Sequence, residues 1–354
     1  MSIPTVNFQK IDLRAASDHE YECLGKFKNI LNKEYLPDDP PVPLDEQIQN
    51  WKNIPAFVEF VAYAGWDASQ SEIVAYCDMA IEDTGSNEHI AFFRIEVLPE
   101  YRCQGLGRHM LGMLLPFAKE HQRSLLMNWM NDRIAAASIF LERIGGRRGQ
   151  EGRMNQLKVA ELDRELVTRW LKQNEHLASE FEMGLWEEGF PDEHIEEIAA
   201  LLQELANDQP RDDLEMEDMK FTPEIIREIE KNMFARGEQL WVLYVLDRAN
   251  QNLVGWTEVS WNPNRPTILN QGFTAVDSTY RNKGLGRWLK AAMMEKILRD
   301  RPQVEFIRTR NANSNAPMLK INNEMGFKPY HALIAWQVNT EQVEIYLNTS
   351  TQDE

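Results

Sequence analysis

The order of apolar and polar positions along this chain runs through one plan twice. In PDEHIEEIAALLQELAND, Ile195, Ile198, Ala199, Leu201, Leu202 and Leu205 recur at the spacing of one helix face. DHEYECLGKFKNILNKEY predicts the corresponding helix early in the chain. A short strand precedes each, PTVNFQKIDL and EFEMGLWEE. A polar loop rich in Pro and Asp follows each, LPDDPPVPLDEQ and QPRDDLEMEDMKFTPE, and then a second helix. For the later one Thr222 is the expected N-cap and Pro223 the first helical residue. Strand-like pairs come next, FVEFVAYAG with SEIVAYCDMAI and LWVLYVLDR with NLVGWTEVSW, joined by WDASQ and ANQ as hairpins. A further strand, HIAFFRIEV or QGFTAV, enters a glycine-containing turn, and GRHMLGMLLPFAKEH or GRWLKAAMMEKILRD leaves it as a long helix. Another strand, SLLMNWM or VEFIRTR, and a short helix close each round.

The duplication is plainest at the turn, LPEYRCQGLGRHM against DSTYRNKGLGRWL, which aligns without a gap from Val97/Val276 to Arg108/Arg287. The chain is 354 residues long, about twice an ordinary domain. The expectation is therefore an α/β class fold, in detail α+β with a mixed twisted sheet flanked by helices, present as two tandem domains. The expected limits are 1–156 and 180–354, with the charged helical stretch 157–179 as a linker.

A net charge of −18 argues against nucleic acid or an anionic membrane as partner. It leaves open a cationic ligand or plain solubility. Cys23, Cys77 and Cys103 are odd in number and lack CxxC spacing, which points away from a disulfide framework and predicts no metal site. No segment approaches 18 apolar residues and the N-terminus lacks a signal-like run, so a cytoplasmic protein is expected.

In each half the turn reads R-x-x-G-x-G: Arg102, Gly105, Gly107 and Arg281, Gly284, Gly286. A strand ending at Val97 or Val276 passes through it into a helix whose first N–H groups converge on one point, as a phosphate or pyrophosphate requires. Arg102 and Arg108, or Arg281, Lys283 and Arg287, add positive potential. The spacing is that of neither a P-loop nor a dinucleotide fingerprint. Taken alone, one such turn reads equally as structural.

R-x-x-G-x-G between a strand and a long helix resembles the acyl-CoA pyrophosphate loop of the GNAT superfamily of N-acyltransferases. TRNANSNAPMLKINNEMGF resembles the segment that follows there, a strand ending in Asn, a short helix and a closing Gly-Phe, here Gly326-Phe327. The whole chain is similar to tandem members of the mycothiol synthase-like type. The resemblance implies acetyl-CoA, or another acyl-CoA, as cosubstrate. It places the pyrophosphate on Asn282, Lys283, Gly284, Leu285, Gly286 and Arg287, framed by Arg281, and the pantetheine arm on Thr274, Ala275 and Val276. Asn315 matches the Asn that reaches the arm; read from the sequence alone it is also a helix N-cap. In the first half the same loop is Val97, Arg102, Gln104, Gly105, Leu106, Gly107 and Arg108.

The implied chemistry is direct attack of an amine on the thioester, for which a base must take the amine proton. Glu258, on the strand beside the cofactor strand, is the candidate base; its alternative reading is a solvent-facing strand residue. The Tyr that many members use to protonate the leaving thiolate is replaced here by Asn322, an amide that cannot act as an acid. Tyr330 is the nearest substitute, unless it only packs at the start of the next strand. The first half departs further, with Gly145-Gly146 for Gly-Phe and Leu141 at the Tyr position, although Glu96 offers a carboxylate there. The resemblance thus assigns chemistry to the second half.

The acidic loop residues Asp212, Asp213, Glu215 and Glu217 are read either as a seat for an ammonium group over the acceptor or as a solvated loop. Trp256, Trp261 and Trp288 line a pocket or fill the core. The reading is an acetyl-CoA-dependent N-acyltransferase acting on a small primary amine, as a monomeric pseudo-dimer or weak homodimer. Its alternatives are a longer-chain or peptide acyltransferase and a CoA-binding sensor without turnover.

Overall fold

The computed structural model describes residues 6–349. In chain order these form β1 (Asn7–Lys10), α1 (Asp18–Tyr35), α2 (Leu44–Lys52), β2 (Val58–Trp66), β3 (Ile73–Glu82), β4 (Ile90–Val97), α3 (Leu106–Glu120), β5 (Leu125–Asn131) and α4 (Ala135–Arg143). There follow β6 (Arg147–Lys158), α5 (Arg164–Gln173), β7 (Phe181–Trp186), α6 (Ile195–Asn207), α7 (Pro223–Ala235), β8 (Gln239–Asp247), β9 (Leu253–Trp261) and β10 (Ile268–Val276). The chain closes with α8 (Leu285–Asp300), β11 (Phe306–Ala312), α9 (Ala316–Glu324), β12 (Lys328–Asn339) and α10 (Thr340–Thr349).

Local signals set these elements. Ser17 and Glu20 form a reciprocal capping box at the start of α1, a device worth about 1 kcal/mol. Thr222 accepts from the Ile225 amide at 3.3 Å and Pro223 occupies the first helical position of α7, as expected. Two expectations shift at their edges. The first strand is limited to Asn7–Lys10, with Pro4 and Thr5 outside the described residues. Helix α2 begins inside the expected loop, with Asp45 and Glu46 in its first turn, where carboxylates favour the helix dipole.

The chain separates into two compact units that do not follow the expected limits. Unit 1 runs up to Glu151, then takes Arg211–Asp218 and everything from Ala332 on; unit 2 is Gly152–Pro210 with Met219–His331. Residues 157–179 are therefore no linker. Leu162, Val167, Trp170 and Leu177 lie in the core of unit 2, because α5 buries its apolar face on α8. Strand β6, which no β-branched run announces, adds antiparallel to β11 over Gly152–Lys158.

In unit 1 the strands run β1-β2-β3-β4-β5, and Leu333–Asn339 of β12 completes them antiparallel to β5. One face packs on α3 and α10 through Met110, Leu111, Leu114, Trp336 and Val343; the other packs on α1 through Leu24, Phe27 and Leu31. In unit 2 the order is β7-β8-β9-β10-β11 with β6 beside β11. Its α8 face holds Leu269, Ile307, Leu289 and Met293, and its α6–α7 face holds Ile198, Leu202, Ile226 and Trp256. Each sheet is mixed and flanked by helices, and each half of the chain lends its last strand and helix to the other unit. Trp256 and Trp288 are core residues, while Trp261 bonds Pro266 and lies under Arg301.

Residues 211–218 of the acidic loop belong to unit 1, not to the second-half unit in which they stand in sequence. Gln337, fully buried, donates to the Asp213 carbonyl at 2.6 Å and accepts from the Glu215 amide at 3.0 Å. Glu215 is paired with Arg147, and Glu217 is bonded to Asn87. Among the described residues no helix is long and apolar enough to cross a membrane, and no cluster of His, Cys, Asp and Glu is placed to hold a metal.

Candidate active site

In each unit two parallel strands start together and then part. In unit 2, β10 pairs with β11 from Ile268 to Gln271, opposite Phe306 to Thr309, and no further. Beyond that point the backbone groups of β10 facing β11 are left without a strand partner, in a V-shaped wedge. A bulge between Gln271 and Thr274, where β10 gains one residue over β9, turns the strand away. In unit 1, β4 pairs with β5 from Ile90 to Phe92, opposite Leu125 to Met127, and parts without a bulge. There the Asn128 side chain reaches across to the Phe93 carbonyl at 2.7 Å.

Both glycine turns have one backbone shape. Cys103 and Gly105 lie at φ 59° and 84°, Asn282 and Gly284 at 65° and 96°. Gly105 and Gly284 are the N-caps of α3 and α8, and neither helix has a side-chain cap, so the first-turn N–H groups remain for a ligand. Leu106 and Leu285 are buried and anchor the helix starts, while Gly107 packs on Phe140 and Gly286 lies near Ile321. Thr274 bonds Thr257 at 2.7 Å, Ala275 packs toward α6, and Val276 leads into the turn.

The basic side chains are mostly engaged within the protein. Arg102 donates to the Val97 carbonyl at 3.0 Å and to Glu34 at 2.6 Å. Arg281 repeats this with the Val276 carbonyl at 3.1 Å and Asp208 at 2.6 Å. Arg287 pairs with Glu324 at 3.0 Å, Arg108 bonds the Leu347 carbonyl, and Gln104 bonds the Glu100 carbonyl. Lys283 lies 5.0 Å from the Tyr280 ring centre and has no carboxylate partner among the described residues. These turns can hold a pyrophosphate mainly through backbone N–H groups, a fit supported by both uncapped helix starts. Asn315 caps α9 by accepting from Met318 at 3.4 Å and donates to Gln209 at 3.0 Å.

Glu258 shares a strand face with Trp256, two residues away, and so points to the α6–α7 side. It is half-buried, accepts from the Trp256 indole at 3.1 Å and from the Phe273 amide in the bulge at 3.3 Å, and has no cation beside it among the described residues. Burial raises its carboxyl above the usual range, against the lowering effect of these two bonds. The register makes Asp78 its equivalent in unit 1, three residues beyond Ala75 as Glu258 is beyond Gly255. Asp78 is bound to Arg94 at 3.3 Å, and Glu96 is bound to Lys28. Both unit 1 carboxylates are thus neutralised within the fold. Tyr330 lies under the Arg308 guanidinium, 4.8 Å from its ring centre. Arg308 alternates with Ile307 on β11, so that pair lies on the Glu258 side of the sheet.

Sequence reasoning missed the Asp78–Arg94 pair and a buried lysine. Lys290 is 3% exposed on α8 and donates to Asn322 at 2.9 Å; Asn322 donates to Asn311 at 2.8 Å. The signal was present, since Lys290 falls on the stripe of Gly286, Met293, Met294 and Ile297. A cavity of about 570 Å³ elsewhere in unit 2, lined by Glu187, Trp241, Lys296 and Asp300 among others, includes none of these site residues.

A family model described as the acetyltransferase (GNAT) family matches residues 24–145 and 199–327. No curated protein matches the chain in sequence. Among solved structures it is similar to a tandem GNAT protein from the clavulanic acid biosynthesis pathway, with a TM-score of 0.74, 20% identity, and 95% and 98% of the two chains covered. It is also similar to a GCN5-related N-acetyltransferase from Sphaerobacter thermophilus, at a TM-score of 0.63, 12% identity, and 96% and 97% coverage. A third likeness is to a fungal multi-domain β-N-acetylglucosaminidase with a GCN5-related glucosamine N-acetyltransferase region, at 0.63 and 12%, covering 95% of this chain and 38% of that one. With both halves matched and a splayed strand pair feeding an uncapped helix in each, the chain belongs to the acetyltransferase (GNAT) family.

Proposed function

We propose that unit 2 transfers an acyl group, acetyl in the first instance, from acyl-CoA to the primary amine of a small molecule, by direct attack. One observation carries the choice of unit. Glu258 is a carboxyl with raised proton affinity and no cation beside it, whereas its equivalent Asp78 is held by Arg94. The acyl thioester supplies the activated carbonyl. The backbone of Asn282–Arg287 and Lys283 would hold its pyrophosphate, and the free edge of β10 at Thr274–Val276 its pantetheine arm. Glu258, on the α6–α7 side of the wedge, takes the ammonium proton, directly or through one water. Tyr330, under Arg308 on that side of the sheet, is the candidate donor to the leaving thiolate.

For unit 1 a second reading is favoured, acyl-CoA binding without transfer. Its turn keeps the same backbone shape, while Asp78 and Glu96 are spent on Arg94 and Lys28, and Leu141 is apolar and buried. The three free cysteines, Cys23, Cys77 and Cys103, all in unit 1, fit a reducing, cytoplasmic setting.

The test is calorimetric titration of acetyl-CoA into wild type, Gly105→Glu and Gly284→Glu, with CoA-thiol release followed against a panel of amines. Loss of turnover with Gly284→Glu alone supports the assignment. Turnover that survives it and dies with Gly105→Glu would reverse the roles of the units.

A further inference from the structure

Lys290 is a buried cation with no carboxylate to neutralise it. Burial is the one cause acting on it, and lowers its ammonium to about 7. Glu324, the one carboxylate on α9, is committed to Arg287, and the other charged group of that helix, Lys320, is a cation. A lone buried ammonium is expensive and calls for a reason.

Hydrogen-bond direction supplies one. An ammonium can only donate, so Asn322 must turn its Oδ1 to Lys290. Its Nδ2 then faces Asn311 and donates to that residue's Oδ1. Asn311 is thereby fixed with its own Nδ2–H outward, and no acceptor for that group exists among the described residues. Asn311 is half-buried and lies two residues beyond Thr309, the last residue of β11 paired with β10. It stands on the wall of the wedge, on the α8–α9 side, opposite the side that carries Glu258. Each donor in such a row polarises the next. Were Lys290 neutral, the row could reverse and offer an oxygen lone pair instead.

We infer that Lys290 is a positioning residue which, through Asn322, holds the Asn311 amide as the donor to the sulfur that leaves when the amide bond forms. The step balances as follows. The amine, its ammonium proton already passed through Glu258 to solvent, bonds to the acyl carbon, the carbon–sulfur bond breaks with its electron pair on sulfur, and the second proton that the nitrogen sheds goes to the re-ionised Glu258. Asn311 stabilises the thiolate until solvent protonates it. This rests on the acyltransferase reading of unit 2, with a donor other than Tyr330.

The experiment follows CoA-thiol release from acetyl-CoA, with an amine that the wild type accepts, at pH 6, where Lys290 is charged, and at pH 9, where it is neutral. At pH 6 kcat should fall about tenfold in Asn311→Ala and in Lys290→Met, the size of one charge-assisted hydrogen bond, and at pH 9 Lys290→Met should match wild type. Calorimetry should show CoA still bound to all three. Asn311→Ala, at a half-exposed position, keeps the test alive if Lys290→Met fails to fold. Equal kcat in wild type and Asn311→Ala at pH 6 would overturn the inference, as would a loss seen with Tyr330→Phe alone; either outcome leaves the acyltransferase reading standing. Wild-type binding unaffected by Gly284→Glu would remove that reading and this inference together.

Discussion

Ending the chain after His331 should unfold the N-terminal part of the molecule and spare the C-terminal part. The truncation removes Ile334, Trp336, Val338 and Val343 from the core that α3 shares with β3, β4 and β5. It also strips β5 of the partner it pairs with from Leu125 to Asn131. Burying a Val or Ile is worth about 1.5–3 kcal/mol, and a core Trp about 3–5. The four side chains together amount to about 10 kcal/mol, comparable to the entire stability of an ordinary domain, about 5–15 kcal/mol. Unit 2 loses none of its own residues, because its territory ends at His331. Hydrogen–deuterium exchange by peptide distinguishes the cases. Peptides from β3, β4 and α3 should exchange as in an unfolded chain, while those from β9 and α8 stay protected, and a peptide of residues 332–349 added in trans should restore the first set. Protection retained in α3 and lost in α8 would refute the strand assignment.

Other outcomes are open to measurement. Gly284→Ala should cost about 2–3 kcal/mol in chemical denaturation, from a left-handed φ of 96° and a Cβ that would overlap Asn174 Oδ1, which must give up its place; Gly286→Ala, with its nearest neighbour at 3.9 Å, should cost well under 1 kcal/mol. Glu258 must be ionised to act as base, so kcat/KM should rise with pH through a carboxyl titration above the ordinary Glu range, and Glu258→Gln should lower the rate and erase that limb without weakening CoA binding. For Lys290 the folded value near 7 lies below the unfolded 10.5, so between them the unfolded chain holds a proton that the folded one lacks. Stability should therefore rise with pH across that window, and the gain of wild type over Lys290→Met between pH 7 and 9.5 should be about 3 kcal/mol. A flat difference in urea titrations at the two pH values would mean that burial does not lower the Lys290 ammonium.

The repeated turn and the strands and helices around it were legible because their signals are local: glycine spacing, apolar periodicity, and a Thr-Pro helix start. Membership of unit was not, since nothing within VEFIRTR tells that RRGQEGRMNQLK will lie beside it. That strand carries three arginines and two buried glycines, and it owes its conformation to pairing with β11. Glu258 was legible by position, but its freedom from a cation was not, because Arg94 meets Asp78 across two strands. Asn322 was visible only as a missing acid. The lysine that orients it sits on a different helix, brought near by folding.

The exchanged strands also set a schedule for synthesis. Strand β5 leaves the ribosome about 200 residues before the strand it pairs with, a delay of roughly 10–40 s at usual elongation rates. Through that interval the first unit waits with one sheet edge bare, a template for any other strand and for a neighbouring nascent copy. Strand β6 waits in turn for β11, with which it pairs. A chain built this way depends during its making on whatever shields an open edge, and mutations that slow or stall translation between β5 and β12 should lower its yield without touching any residue of the finished site.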